Sequence, residues 1–162
     1  MRILGIDPGI GRTGFGVLEV QSSNLKVRGY GCIETPAGME VGERLNNIYE
    51  KVVGLLNEYK PDAVGIEELF FNTNSKTAFV VGQARGVIML AVSQKKIPLA
   101  VYTPLQVKIA VTGYGRAEKR QVAQMIKTLL KLESVPKLDD TTDALAIAIT
   151  HAFSYKINAK NK

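Results

Sequence analysis

The stretch Arg2-Ile3-Leu4-Gly5-Ile6-Asp7-Pro8-Gly9 decides how the rest of the chain is read. A short aliphatic run carries one carboxylate at its end and is closed by Pro and Gly, the pattern of a buried central strand. An acid at the end of such a strand lies at the sheet edge, where α/β folds collect their active sites. The reading therefore turns on which other acids the fold brings to Asp7.

Downstream of Asp7, Pro8 to Gly14 is a glycine-rich turn and Phe15 to Val20 reads as a second strand. Gln21 to Asn24 form a turn, and Leu25 to Glu34 make a third strand containing Tyr30, Cys32 and Ile33. Connections this short predict an antiparallel meander. From Glu40 the period becomes helical: Val41, Leu45, Ile48, Val52, Leu55, Leu56 and Tyr59 share a stripe, and Lys60-Pro61-Asp62 ends it. Ala63 to Glu68 is a fourth strand that follows a helix, so a parallel pairing with the first is expected. It also ends in acid, and alternation alone does not choose between Glu67 and Glu68.

Leu69 to Asn74 reads as a loop, with Asn74 or Ser75 capping a helix from about Lys76 to Val92. That helix is apolar on nearly every side, which places it in a core or a subunit interface. Ile97 to Tyr102 is a fifth strand, Leu105 to Val111 a short helix and Thr112 to Arg116 a loop. Ala117 to Leu132 is helical, with Val122, Met125, Ile126, Leu129 and Leu130 on one face. Arg120, Lys127 and Lys131 on the opposite face form either a solvated surface or a phosphate track. Asp139-Asp140-Thr141-Thr142-Asp143 opens a last helix, Ala144 to about Phe153, apolar all round. The expectation is an α/β protein: a five-stranded mixed sheet, a meander plus two parallel strands, flanked by helices. Residues 1–153 form one domain and 154–162 a basic tail that frays.

The 162 residues suit one domain with a real core, and 46% hydrophobic content is ordinary for a globular protein. No apolar run approaches the ~20 residues needed to span a bilayer. The N-terminal residues show no signal pattern, so no membrane association and a cytoplasmic location are expected. Cys32 is the single cysteine and reads as a small core residue. The net charge of +6 suggests a polyanionic partner, although Lys156, Lys160 and Lys162 lie in the tail and weaken that inference.

Asp140 and Asp143 stand three residues apart and share one helical face at its first turn. Acids there cap a helix and suit its dipole, for about 0.5–2 kcal/mol. Three acids in five residues exceed that need, so Asp139 is assigned as the cap and the other two as ligands. If the last helix docks across the edge where the first and fourth strands end, Asp7, Glu67, Asp140 and Asp143 face one another. Four carboxylates cannot stay ionised together without cations. Hard oxygen ligands select Mg2+, or Mn2+ in its place, and two such ions serve phosphodiester hydrolysis. His151, two turns into the helix, reads as structural or surface.

The sequence resembles the RuvC-type Holliday-junction resolvases of bacteria. The resemblance rests on Gly5-Ile6-Asp7-Pro8-Gly9, Ile66-Glu67 followed by Phe70, Gly82-Gln83-Ala84-Arg85-Gly86, Gln106-Val107-Lys108, Ala117-Glu118-Lys119 and Asp140-Thr141-Thr142-Asp143-Ala144-Leu145-Ala146. It covers the chain to about residue 153. It implies a ribonuclease-H-like fold, a homodimer, and Mg2+-dependent symmetric nicking of four-way DNA junctions that leaves ligatable ends. It also implies a preference for a short T-rich cleavage sequence. The family's catalytic and metal-binding acids fall on Asp7, Glu67, Asp140 and Asp143, which favours Glu67 over Glu68. Some members carry His at the position of Asp140; this chain does not. The family's DNA-contacting aromatic falls on Phe70 and its basic residues on Lys108 and Lys119, with Arg85, Arg116 and Arg120 as further DNA-contact candidates. Arg85 is equally open to a structural ion pair within the dimer. Family members cooperate with a branch-migration complex of RuvA and RuvB type.

Three rivals share part of the pattern. Actin-like sugar kinases and ATPases also follow a strand-end acid with a Gly-rich turn, but they need a second lobe for which this chain has no room. A small RNase-H-like nuclease acting on RNA would share the first motif. A catalytically silent junction binder would not need four intact acids.

Overall fold

The computed structural model describes residues 1–21, 24–69 and 75–160. Its sheet has five strands: β1 (Arg2–Asp7), β2 (Arg12–Gln21), β3 (Asn24–Glu34), β4 (Ala63–Glu67) and β5 (Leu99–Tyr102), in the order β3-β2-β1-β4-β5. β1, β2 and β3 form the expected antiparallel meander, and β1, β4 and β5 run parallel. β2 begins at Arg12, so Gly14, expected in the turn, is a strand residue paired with Asp7. β5 begins at Leu99, two residues later than its apolar pattern suggests.

Among the described residues five helices cover the sheet: α1 (Val41–Tyr59), α2 (Ser75–Gln94), α3 (Pro104–Thr112), α4 (Lys119–Leu130) and α5 (Asp139–Lys160). α1 and α2 lie on one face. Leu4, Ile6, Val17, Val64 and Ile66 of the strands meet Ile48, Val52, Leu56, Ala84 and Ile88 there. α5 lies on the other face, across β2, β1 and β4, with α3 and α4 beside it. Ile3 and Leu18 join Val107, Val122, Ile126, Leu145, Ile147 and Ile149 in that layer.

Local chemistry sets the helix ends. Thr103 caps α3 by accepting from the Gln106 N–H, while Gln106 accepts from the Thr103 N–H. α3 stops at Gly113, whose φ of 74° suits glycine. α4 starts at Lys119 and ends at Lys131 in the left-handed conformation, so it is shorter than the apolar pattern from Ala117 to Leu132. Met125, expected in the core, is 37% exposed, because α4 turns that side toward a surface groove shared with Tyr114. The α2 surface is also divided: Ala84, Ile88, Ala91 and Val92 are buried, whereas Phe79 is 67% and Leu90 50% exposed. α5 continues to Lys160, so residues 154–160 of the expected tail are helical. Asn74, the alternative α2 cap, lies outside the described residues, and Ser75 is the first residue of the helix. Among the described residues no helix is long and apolar enough to cross a membrane.

Candidate active site

Strand alternation places the first two acids. On β1, Leu4 and Ile6 enter the α1/α2 layer, while Ile3 and Gly5 face α5. Asp7 keeps that parity and lies on the α5 side. On β4, Val64 and Ile66 enter the α1/α2 layer, and Gly65 faces Ile147 of α5. Glu67 therefore shares the face of Asp7, and Glu68 has the opposite parity. Gly5 pairs with Gly65, which sets the two acids at adjacent strand ends. The Glu68 side chain is exposed, and its main-chain N–H donates to the Tyr102 carbonyl at 2.8 Å.

Glycine brings α5 down to these acids. A Cβ at Gly5 would overlap the Ala144 carbonyl oxygen and lie 2.6 Å from the Ala148 nitrogen. One at Gly14 would overlap the carbonyl of Asp140 itself. The first turn of α5 thus rests on the β2 backbone directly across from Asp7. Asp140 and Asp143 lie in that turn, half-buried. Asp139 does not precede the helix as a cap; it is the first helical residue, and its side chain is 80% exposed. The carbonyl of Leu138 instead accepts from Thr141 and Thr142.

The electrostatics follow from this packing. Burial, then the charges of Glu67, Asp143 and Asp140, push the Asp7 carboxyl up to about 8. Burial, then the Asp143 charge, raises Glu67 to about 7. Burial also raises Asp143, with Lys119 opposing it. Lys119 Nζ stands 3.6 Å from Asp143 Oδ2 and 3.8 Å from Asp139 Oδ2, and the Asp143 charge raises its own value. Glu67, Lys108, Lys119 and Asp143 line a cavity of about 270 Å³ floored by Val107, Val122 and Ala146. Among the described residues no three His, Cys, Asp or Glu side chains stand close enough together to hold a metal ion as they are.

The other candidates are dispersed. Arg85 donates from Nε to the Glu67 carbonyl at 3.2 Å, a contact within one chain that ties α2 to the acid-bearing strand end. Arg116 is exposed, and Arg120 lines the separate groove with Tyr114 and Met125. Phe70 lies outside the described residues. His151 is structural: its Nδ1 is hydrogen-bonded to the Tyr102 hydroxyl at 2.8 Å, and burial lowers its value. Burial pushes the Cys32 thiol up to about 11, leaving it an inert thiol rather than a nucleophile. Sequence reasoning missed Gly14 and Gly65 as site-forming residues. For Gly65 the available signal was a glycine two residues before each acid, Gly5 before Asp7 and Gly65 before Glu67.

The family described as crossover junction endodeoxyribonuclease RuvC matches residues 3–151. The chain belongs to this family. A crossover junction endodeoxyribonuclease RuvC of Brevibacillus brevis is 57% identical over 152 residues, covering 94% of this chain and 92% of that one. The RuvC structure of Thermus thermophilus superposes with a TM-score of 0.91 at 35% identity, covering 98% of this chain and 97% of that one. The T. thermophilus RuvC solved with a Holliday junction substrate gives 0.93 at 36% identity, covering 98% and 96%. The RuvC family acts as nucleases on phosphodiester bonds, and the ribonuclease-H-like resolvase fold expected from the sequence is the one found.

Proposed function

We propose that the protein resolves four-way DNA junctions in recombination and repair by paired symmetric nicks, with Asp7, Glu67, Asp140 and Asp143 as its catalytic acids. The observation that carries this is the convergence of strand-end and helix acids on one half-buried edge, where burial and neighbouring carboxylate charges raise Asp7, Glu67 and Asp143. The donor set fits a divalent ion. Carboxylate oxygens are hard ligands, and their repulsion here is relieved only in part by Lys119. Asp7, Glu67, Asp140 and Asp143 would hold Mg2+, or Mn2+ in its place, as one or two ions. Such ions supply Lewis-acid charge stabilisation and water activation for phosphodiester hydrolysis.

The chain's own residues do the rest. Lys108 and Lys119 flank the cavity beside Glu67 and Asp143 and bind backbone phosphate there. Lys108, on α3, offsets charge on the phosphate under attack. Arg85 fixes the end of β4 through the Glu67 carbonyl. Phe70, three residues past Glu67, stacks on an unpaired base at the junction, for about 1–3 kcal/mol. A two-fold junction calls for two sites, and the exposed Phe79 and Leu90 on α2 suit a second copy of the chain. Cooperation with a branch-migration complex and action in the cytoplasm are proposed on the resemblance to the family alone.

The test is strand cleavage of a labelled four-way junction beside a linear duplex and an RNA–DNA hybrid, with and without Mg2+. Paired nicks in the junction alone, requiring the metal, are expected. Cleavage of the hybrid instead would move the protein to another branch of the fold. Binding without cleavage under any divalent metal would leave a junction binder.

A further inference from the structure

Lys119 occupies an unusual place for a cation. It is the first residue of α4, where the aligned peptide dipoles disfavour positive charge. Its ammonium is compensated from the neighbouring helix, 3.6 Å from Asp143 and 3.8 Å from Asp139. Asp143 is one of the acids whose charge acts on Asp7 and Glu67. The ammonium therefore sits against a carboxylate that the proposed function assigns to a divalent ion. The two cations compete for the same oxygens.

Three observations distinguish this contact from an ordinary surface pair. The Asp143 side chain is 35% exposed, so its charge is poorly screened, whereas that of Lys119 is 73% exposed and can swing away without unpacking the core. Lys108 lines the same cavity yet forms no ion pair among the described residues, so the pairing is particular to Lys119. And the acids, as they stand, are not gathered for a metal among the described residues.

We propose that Lys119 is a built-in counter-cation that holds back divalent-metal binding in the DNA-free protein, until a backbone phosphate draws it off Asp143. The phosphate replaces the carboxylate as the partner of the ammonium, and the freed carboxylate joins the metal-binding set. Linkage makes the effect reciprocal: DNA raises metal affinity and metal raises DNA affinity by the same factor. The device biases metal binding toward protein already on its substrate, by the few-fold factor such an ion pair carries.

This inference rests on the metal-site reading above, and its test separates the two. DNA-free protein is titrated with Mn2+ at low ionic strength, and free Mn2+ is read by electron paramagnetic resonance. Wild type, Lys119→Met, Lys119→Arg and Asp7→Asn are compared, with circular dichroism checking the fold of each. Lys119→Met is expected to bind Mn2+ about two- to fivefold more tightly than wild type, the size of a partly exposed ion pair. Lys119→Arg keeps the charge and should match wild type, and Asp7→Asn should lose the site. Equal or weaker binding by Lys119→Met, with the site still lost in Asp7→Asn, overturns the counter-cation and leaves the metal site standing. Mn2+ binding that ignores Asp7, or none at millimolar metal in any variant, overturns both.

Discussion

On one side of the sheet, Leu4, Ile6, Val17, Val64 and Ile66 meet α1 and α2 through a thick layer of branched side chains. On the other, Gly5, Gly14, Gly16 and Gly65 let α5 lie against the strands, backbone to backbone in places. The thick layer is interchangeable volume, where many sets of apolar side chains would fill the space. The thin layer is a fixed distance. It brings Asp140 and Asp143 within charge range of Asp7, and Asp143 within that of Glu67, and it leaves no room for a side chain where α5 crosses β1 and β2. The acids are the proposed chemistry, and the glycines set their spacing.

Substitution on the thin side should separate activity from stability most sharply. Gly14→Ala forces a methyl group into the Asp140 carbonyl and displaces the first turn of α5. Junction cleavage should fall about 100-fold or more, as expected for an ångström-scale misplacement, while stability falls by about 1–3 kcal/mol. Single-turnover cleavage beside a urea melt checks both. A variant that cleaves normally would show that α5 is not held by this contact.

Leu4→Ala, on the thick side, should do the reverse. Loss of a fully buried leucine should cost about 2–5 kcal/mol, with cleavage per folded molecule unchanged. Loss of cleavage in proportion to that of Gly14→Ala would erase the distinction between the two faces.

A smaller effect should appear as a pH dependence of stability. The Asp7 carboxyl is raised to about 8 in the folded chain, so between its ordinary value and 8 the folded state holds a proton that the unfolded state has lost. Its stabilising contribution is present at low pH and is lost as pH rises through about 8. His151, kept neutral by burial, acts in the opposite sense below its ordinary value, so the useful comparison is with Asp7→Asn. In chelator, Asp7→Asn should be more stable than wild type at pH 8.5, by an amount on the order of 2 kcal/mol, and the gap should close toward pH 5. Urea melts across that range would contradict the account if the gap were constant or widened at low pH.

Much of this was legible in the sequence because it is written in periodicity. The β1 and β4 runs, the α1 stripe and the apolar α5 all carry patterns that burial imposes directly. Asp7 and Glu67 stood out as charges at the ends of apolar runs, and Asp140 and Asp143 as a pair on one face at the start of an apolar helix. Gly14 was misplaced because glycine is a turn signal locally, while its reason for being in β2 lies with a helix more than a hundred residues away. Alternation alone did not choose between Glu67 and Glu68, because β4 is buried on both faces, and only the resemblance favoured Glu67. In the structure, Gly65 facing α5 is what gives Glu67, and not Glu68, the side of Asp7. The extension of α5 to Lys160 was hidden by polar composition, and Met125 by a stripe that continues past the edge of the layer it packs on. Lys108 and Lys119 were singled out by resemblance, and only the fold sets them around one cavity.

The most direct measurement is junction cleavage by Asp7→Asn and Glu67→Gln, with binding to the same four-way junction measured in parallel. Cleavage should fall at least about 100-fold in each, with junction affinity within a few-fold of wild type. Undiminished cleavage in either variant would contradict the assignment of this carboxylate edge as the place where the strand is cut.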